Sequence, residues 1–222
     1  MEAGAVRAHE GDWAAGDSLA SRARWETLAR KAALVLARIA LGYLFFTNLS
    51  WKLPPDFGCP PDYAFTTGTP QALQRTSGLC DWIGVEQVWS TAPRELLGVP
   101  IGWAARLNGI FLENVVMPGI RVFGWLIFLG EALAAASLIL GLLTRLGGLV
   151  ALGLALQLTV GLAGIRNPVE WEWSYLQMIL LSIVVLAFAP GRVLGLDALL
   201  RTRFRPMAER GSRLGRALLT LT

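Results

Sequence analysis

Residues 146–165 and 173–190 of this chain run without a single charged side chain. Two further runs, 31–53 and 121–143, carry only Arg38 and Glu131 inside their edges. A hydrocarbon layer about 30 Å thick takes roughly 20 helical residues to cross, so each run is long enough. The composition agrees: 16% of the 222 residues are charged, well under the roughly 25% of soluble domains. The expected fold is an all-α membrane protein, a bundle of four transmembrane helices.

Charge placement sets the expected orientation. Arg22, Arg24, Arg30 and Lys31 precede the first run, and Arg145 sits in the short turn between the second and third. Arg192, Arg201, Arg203, Arg205, Arg210, Arg213 and Arg216 follow the fourth. An even number of spans places all of them on one side, and the positive-inside bias makes that side cytoplasmic. Both termini are then cytoplasmic. Residues 1–30 hold scattered charges and no continuous apolar core, so they read as a mobile cytoplasmic tail rather than a cleavable signal. Residues 31–195 form the membrane domain, and 196–222 a basic cytoplasmic tail. In "LLRTRFRPMAERGSRLGRALL" arginines alternate with apolar residues, which suits anionic headgroups as well as a topology signal. A sequence pI near 9.6 is accounted for in this way without nucleic acid.

Between the first two spans, residues 54–120 make a long extracytoplasmic cap. Pro54, Pro55, Pro60, Pro61 and Pro70 exclude a regular helix over 54–79. Asp81 is placed to cap a short helix reaching Val88 or Trp89. Residues 101–117 align Ala104, Leu107, Phe111, Asn114 and Val115 on one side, with Arg106, Asn108 and Glu113 interrupting the rest. That pattern reads as an interfacial helix stopped by Pro118-Gly119. Trp51, Trp82, Trp89, Trp103, Trp171 and Trp173 suit the same depth. Cys59 and Cys80 both fall in the cap, where an oxidising compartment permits a disulfide closing the loop. A redox-active pair is the alternative, although the spacing is not that of CxxC.

Ionisable groups at membrane depth are costly and point to function. Arg38 lies roughly 10 Å inside the first run, counted at 1.5 Å per residue. Glu131 and Gln157 fall near the middle of their runs, so the three are expected in one layer. Gly42, Phe45, Leu49 and Lys52 share the helical face of Arg38, with Asn48 on its flank. Gly153, Gly161 and Gly164 share the face of Gln157, which favours close helix approach. Two readings follow. Arg38 and Glu131 form a buried ion pair completed by Gln157, or the layer lines a pocket that holds a hydrophobic ligand's head or passes protons. At the outer end Asn48, Trp51, Lys52, Trp173, Ser174, Tyr175 and Gln177 gather either as interfacial anchors or as the mouth of that pocket.

Several chemistries are excluded by the residues themselves. The one histidine, His9, is outside the apolar runs, so two histidines cannot hold a haem in the bundle. Two cysteines cannot ligate an iron–sulfur cluster or a structural zinc, and no metal site is expected. There is no Walker A sequence, no GxGxxG after a strand and no GxSxG. Electron transfer through this chain would use a diffusible carrier or a partner's cofactor.

Three segments, "RIALGYLFFTNLSWKL", "GEALAAASLILGLLTRLGGLVAL" and "LAFAPGRVLGLDALL", resemble the DoxX-like family of small four-helix membrane proteins. That family includes DoxD, the small subunit of thiosulfate:quinone oxidoreductase, and the long cap is closer to DoxD than to the simplest members. The chain departs from the family at Ser50-Trp51, where glycine commonly precedes the lysine. The resemblance implies a subunit of a quinone-linked or sulfur-linked oxidoreductase in a bacterial or archaeal cell membrane. It implies a membrane quinone as carrier and a partner subunit docked on the cap or the basic tail. Arg38 and Glu131 are then the candidates for catalysis. Lys52, Trp51, Asn48, Gln157 and Gln177 are the candidates for a quinone pocket. A non-catalytic scaffold subunit is the alternative.

Overall fold

The computed structural model describes residues 6–65, 78–165 and 172–222, with side chains from residue 21 onward and only the backbone of Glu172. Trp171, Pro70 and the side chain of His9 lie outside the described residues. The chain is predominantly helical. Helix α1 spans Val6–Asn48, α2 Leu79–Val88, α3 Gly102–Phe111, α4 Ile120–Leu140, α5 Thr144–Leu162, α6 Glu172–Phe188, α7 Leu196–Glu209 and α8 Arg213–Leu221. A small antiparallel ribbon, β1 (Glu95–Leu96) and β2 (Val99–Pro100), pairs Glu95 with Pro100 between α2 and α3.

Helix α1 packs on α4 and α6, and α5 packs on the same two, so the four close into a bundle. Helices α4 and α5 are long and apolar enough to cross a membrane; α6 is apolar and shorter. Close approach rests on small residues: Gly42 lies where a Cβ would meet Leu138 and Ile139, and Gly148 lies against Val185 and Leu186. Leu41, Phe45, Ala134, Ala135, Leu138, Ala151 and Val185 form the buried centre. The outward faces are apolar too, with Leu36, Phe46, Leu126, Leu129, Leu149, Leu180 and Ile183 all exposed. An apolar shell around an apolar core is what lipid contact requires, whereas a soluble bundle is polar outside.

The structure revises one expectation and adds detail to two others. The first helix does not begin near residue 31 but continues back to Val6 through "ASRARWETLARKAAL", with residues 21–33 exposed throughout. Alanine and arginine favour helix there, and Glu26 and Arg30 sit at i,i+4. The segment 196–222 is a helical hairpin in which Gly215 fits against the backbone of Met207 and Ala208. In the cap, α2 starts at Leu79 with Asp81 inside its first turn. The side of α3 that packs inward is Ala105 and Gly109, while Leu107 and Phe111 face out. The expected disulfide joins Cys59 to Cys80 and ties the irregular segment after α1 to the first turn of α2.

The α4–α5 turn shows what the segment "GLLTRLGGL" does. Gly141 takes φ +65°, a conformation costly for residues with a Cβ, and a Cβ there would collide with Arg38 Nη1. Asp197, at the start of α7, crosses to this turn and accepts from the backbone N–H groups of Leu143 (2.6 Å) and Thr144 (2.9 Å), and from the Thr144 hydroxyl. These satisfy the otherwise orphaned donors at the N-terminus of α5 with a group of the right charge. Arg145 donates to the carbonyls of Leu186 and Thr220, and Arg192 and Arg201 to that of Thr222, locking α8 onto this end.

Candidate functional site

Past the end of α1 the chain turns tightly, with Lys52 N–H bonded to Leu49 carbonyl, and this turn drives the Lys52 side chain inward. Its ammonium forms an ion pair with Glu131 Oε1 of α4, and both residues are buried. The same ammonium lies 4.3 Å from the centre of the Trp51 ring, within cation–π range. Asn48 fixes that ring. Its amide donates to Leu44 carbonyl at 2.8 Å, and its oxygen accepts from Trp51 Nε1 at 3.3 Å. Trp82 of α2 sets its ring 6.3 Å from that of Trp51, tilted at 44°.

Two polar atoms of this chain of contacts have no partner among the described residues: Glu131 Oε2 and Trp82 Nε1, both buried. An unmade hydrogen bond at a buried donor or acceptor costs about 1–3 kcal/mol. Each such atom is open to a partner that the described residues do not supply, a ligand or a water. One is an acceptor, the other a donor, and an aromatic face lies beside them.

The expected layer of Arg38, Glu131 and Gln157 does not form. Arg38 and Glu131 do not pair: α1 and α4 run antiparallel, with Gly42 against Leu138, so Arg38 meets Gly141 and the residues beyond α4. Its guanidinium is buried between Gly141 and Gly195 beside Asp197, with Nε and Nη1 unpartnered among the described residues. Gln157 belongs to a different cluster, around Glu86, and Gln177 is exposed on α6. Of the residues expected around a pocket, the structure brings together Lys52, Glu131, Trp51 and Asn48.

Sequence reasoning passes over Glu86 and Arg94. Glu86 sits one turn beyond Trp82 on α2 and is 4% exposed. Its Oε2 accepts from Asn108 Nδ2 of α3 at 3.1 Å and from Gln157 Nε2 of α5 at 3.0 Å. Arg94, also buried, spends its guanidinium on the carbonyls of Gly161 and Ala163, at 2.9 Å from Nη1 and Nε respectively, and so caps α5. Burial pushes the Glu86 carboxyl up to about 7, opposed by the two amides and by Arg94. A signal for Glu86 is present in "LCDWIGVEQVW": a carboxylate one turn from Trp82, on the apolar side of a short helix.

The family model described as "TQO small subunit DoxD" matches residues 104–221, more than half of the chain. The chain belongs to the DoxD family. No curated protein and no solved structure matches it. The DoxD match runs from α3 to α8 and includes Asn108, Glu131, Gln157 and Asp197, whereas Arg38, Lys52, Trp82 and Glu86 precede it. The ion pair therefore joins a residue inside the DoxD match to one outside it.

Proposed function

We propose that this DoxD protein is an integral membrane subunit of an oxidoreductase that delivers electrons to the quinone pool. The name of its family points to a reduced sulfur compound, thiosulfate in particular, as the electron source. On this reading the apolar half of α1 joins α4, α5 and α6 as four spans of the cell membrane. The arginine-rich end lies in the cytoplasm with both termini, and the disulfide-stapled cap lies outside. The positive-inside bias and the apolar outer faces of the bundle support that orientation.

One observation carries the functional reading: the buried Lys52–Glu131 pair with Glu131 Oε2 and Trp82 Nε1 left unpartnered among the described residues, beside Trp51. The residues fit a quinone head. Trp82 Nε1 is a free donor for a carbonyl oxygen, and Trp51 offers a ring face. A quinone takes up two electrons and two protons when it is reduced. Lys52 stabilises negative charge developing on the nearer oxygen, in a site dry enough to make that charge count. Glu131 Oε2 can hold a proton at the same place. The electrons come from a partner subunit.

The test is quinone binding by the purified chain in mild detergent, read from quenching of its tryptophan fluorescence. Lys52→Gln and Trp82→Phe are expected to weaken binding by roughly 10- to 100-fold, the worth of one strong hydrogen bond. Affinity unchanged in both variants would reject the pocket. A second reading, a non-catalytic anchor, is favoured by the exposed row Trp103, Leu107, Ile110 and Phe111 on α3, which a partner subunit could cover. It requires Glu131→Gln to leave the activity of an assembled complex intact.

A further inference from the structure

We infer that Glu86, with the amides of Asn108 and Gln157, is a buried proton-exchange site between the extracytoplasmic surface and the pocket of Lys52, Trp51 and Trp82. The inference rests on the quinone reading for what the proton is used for, and on its own geometry for the site itself.

The geometry begins with placement. Trp82 and Glu86 are one turn apart on α2, and both turn towards α5. Trp82 packs in the cluster of Val85, Leu162 and Tyr175, and Glu86 lies against Gly161. A Cβ at Gly161 would collide with Glu86 Oε2, so α5 is notched where the carboxyl enters. The two amides come from different helices and converge on one oxygen. Asn108, half-buried on α3 in the cap, links the buried carboxyl to the cap surface, while Gln157 reaches it from α5.

A purely structural polar plug would not need an acid here. Glutamine at 86 would offer the same oxygen to both amides without a charge to bury. Nor is Glu86 an ion-pair partner: among the described residues it makes no salt bridge. The charged and titratable groups around it are few. Arg94 acts on it from before β1 but is committed to α5 carbonyls, and Tyr175 of α6 acts on Arg94. On α3, Arg106 and Glu113 are exposed, as is Glu95 of β1; Asp81 of α2 is half-buried. Helix α5 presents only Gln157 and Gly161 here, its one charge, Arg145, lying at the opposite end. Burial favours the neutral acid and two amide donors favour the carboxylate, so neither form is strongly preferred. With the carboxyl pushed up to about 7, both forms are populated near neutrality.

In the transfer step the O–H bond of protonated Glu86 breaks, and its proton passes by water towards the pocket, where an O–H bond forms on a quinone oxygen. The electron pair comes from the sulfur-compound donor through the partner subunit. The Glu86 carboxylate is steadied by the amides and Arg94, then takes a proton from water outside. Glu86 acts through the relay and does not itself touch the reacting ring.

Two measurements on the full chain test this. Infrared titration of the purified protein is expected to show a protonated-carboxyl band that disappears as pH rises through neutrality. The band should be missing in Glu86→Gln and shifted to higher pH in Gln157→Leu, which loses a donor to the ionised form. No such band, or its persistence in Glu86→Gln, would overturn the site. In the assembled complex, Glu86→Gln should slow quinone reduction on the order of 100-fold and remove its inflection near neutral pH. Quinone binding by tryptophan quenching should be unchanged in that variant. Normal binding with an unaltered pH profile would overturn the relay. If the wild-type chain binds no quinone, the pocket reading fails, and the infrared titration still decides whether Glu86 exchanges a proton.

Discussion

Lys52 and Arg38 stand about 20 Å apart along the first helix and the turn that follows it, at 1.5 Å per residue, yet they bury their charges differently. Lys52 has a direct partner in Glu131, while Arg38 has, among the described residues, the nearby field of Asp197 and no ion-pair partner. A buried pair is a poor source of net stability because desolvation offsets attraction, but half a pair is worse than none. Lys52→Met or Glu131→Leu alone is therefore expected to cost about 3–5 kcal/mol, and the double substitution markedly less than their sum. Thermal unfolding of the four proteins in one detergent measures the coupling, and additive losses would show that the two charges do not depend on each other. The sequence marks both residues as significant but not their pairing. Depth counted from the edge of an apolar run misleads here, because the helix has no physical edge at residue 31. Which residues meet depends on the antiparallel offset of α1 against α4, and nothing local to either helix encodes it.

Glycine separates elements that need it from elements that tolerate it. Gly141 ends α4 in the left-handed region, and its missing Cβ makes room for Arg38, so Gly141→Ala meets both backbone strain and a collision. About 1–2 kcal/mol of conformational cost is expected before the clash is counted. Gly153 is inside α5, and a Cβ added there would have nothing within 4 Å. Gly153→Ala is therefore expected to stabilise by roughly 0.5–1 kcal/mol through helix propensity alone. Melting temperatures of the two variants should move in opposite directions; a shared sign would refute this account of the turn. The turn itself is legible in the sequence as a punctuation mark between two apolar runs. Its cap is not, because Asp197 comes from α7, more than fifty residues downstream. The segment between α1 and α4 is less legible still. By local pattern Trp82 is one more interfacial anchor, and Glu86 a charge on a short helix. Their shared approach to α5 exists only once the disulfide and the α3 packing have folded α2 back over the bundle.

Taken as a whole molecule, the protein has one end that is tied and one that is poised. At the arginine-rich end Asp197, Arg145, Arg192 and Arg201 commit their polar atoms to backbone groups. At the cap end burial raises the Glu86 carboxyl towards neutrality, and this has a consequence for global stability with a definite sign. The Glu86 carboxyl is raised from its ordinary 4.5 to about 7 by folding. Below the lower value the acid is neutral folded or unfolded, and stability is at its full level. Between the two values the unfolded chain loses its proton first, so stability falls as pH rises, and above about 7 the loss is complete. At 1.36 kcal/mol per pH unit that window amounts to on the order of 3 kcal/mol. The cap should loosen from α5 as the pH climbs, since Glu86 is the polar group that α2, α3 and α5 share. Unfolding of the wild type and Glu86→Gln across this range isolates the contribution. The wild type is expected to lose stability relative to the variant as pH rises, and two parallel curves would mean that Glu86 keeps its charge in the folded protein.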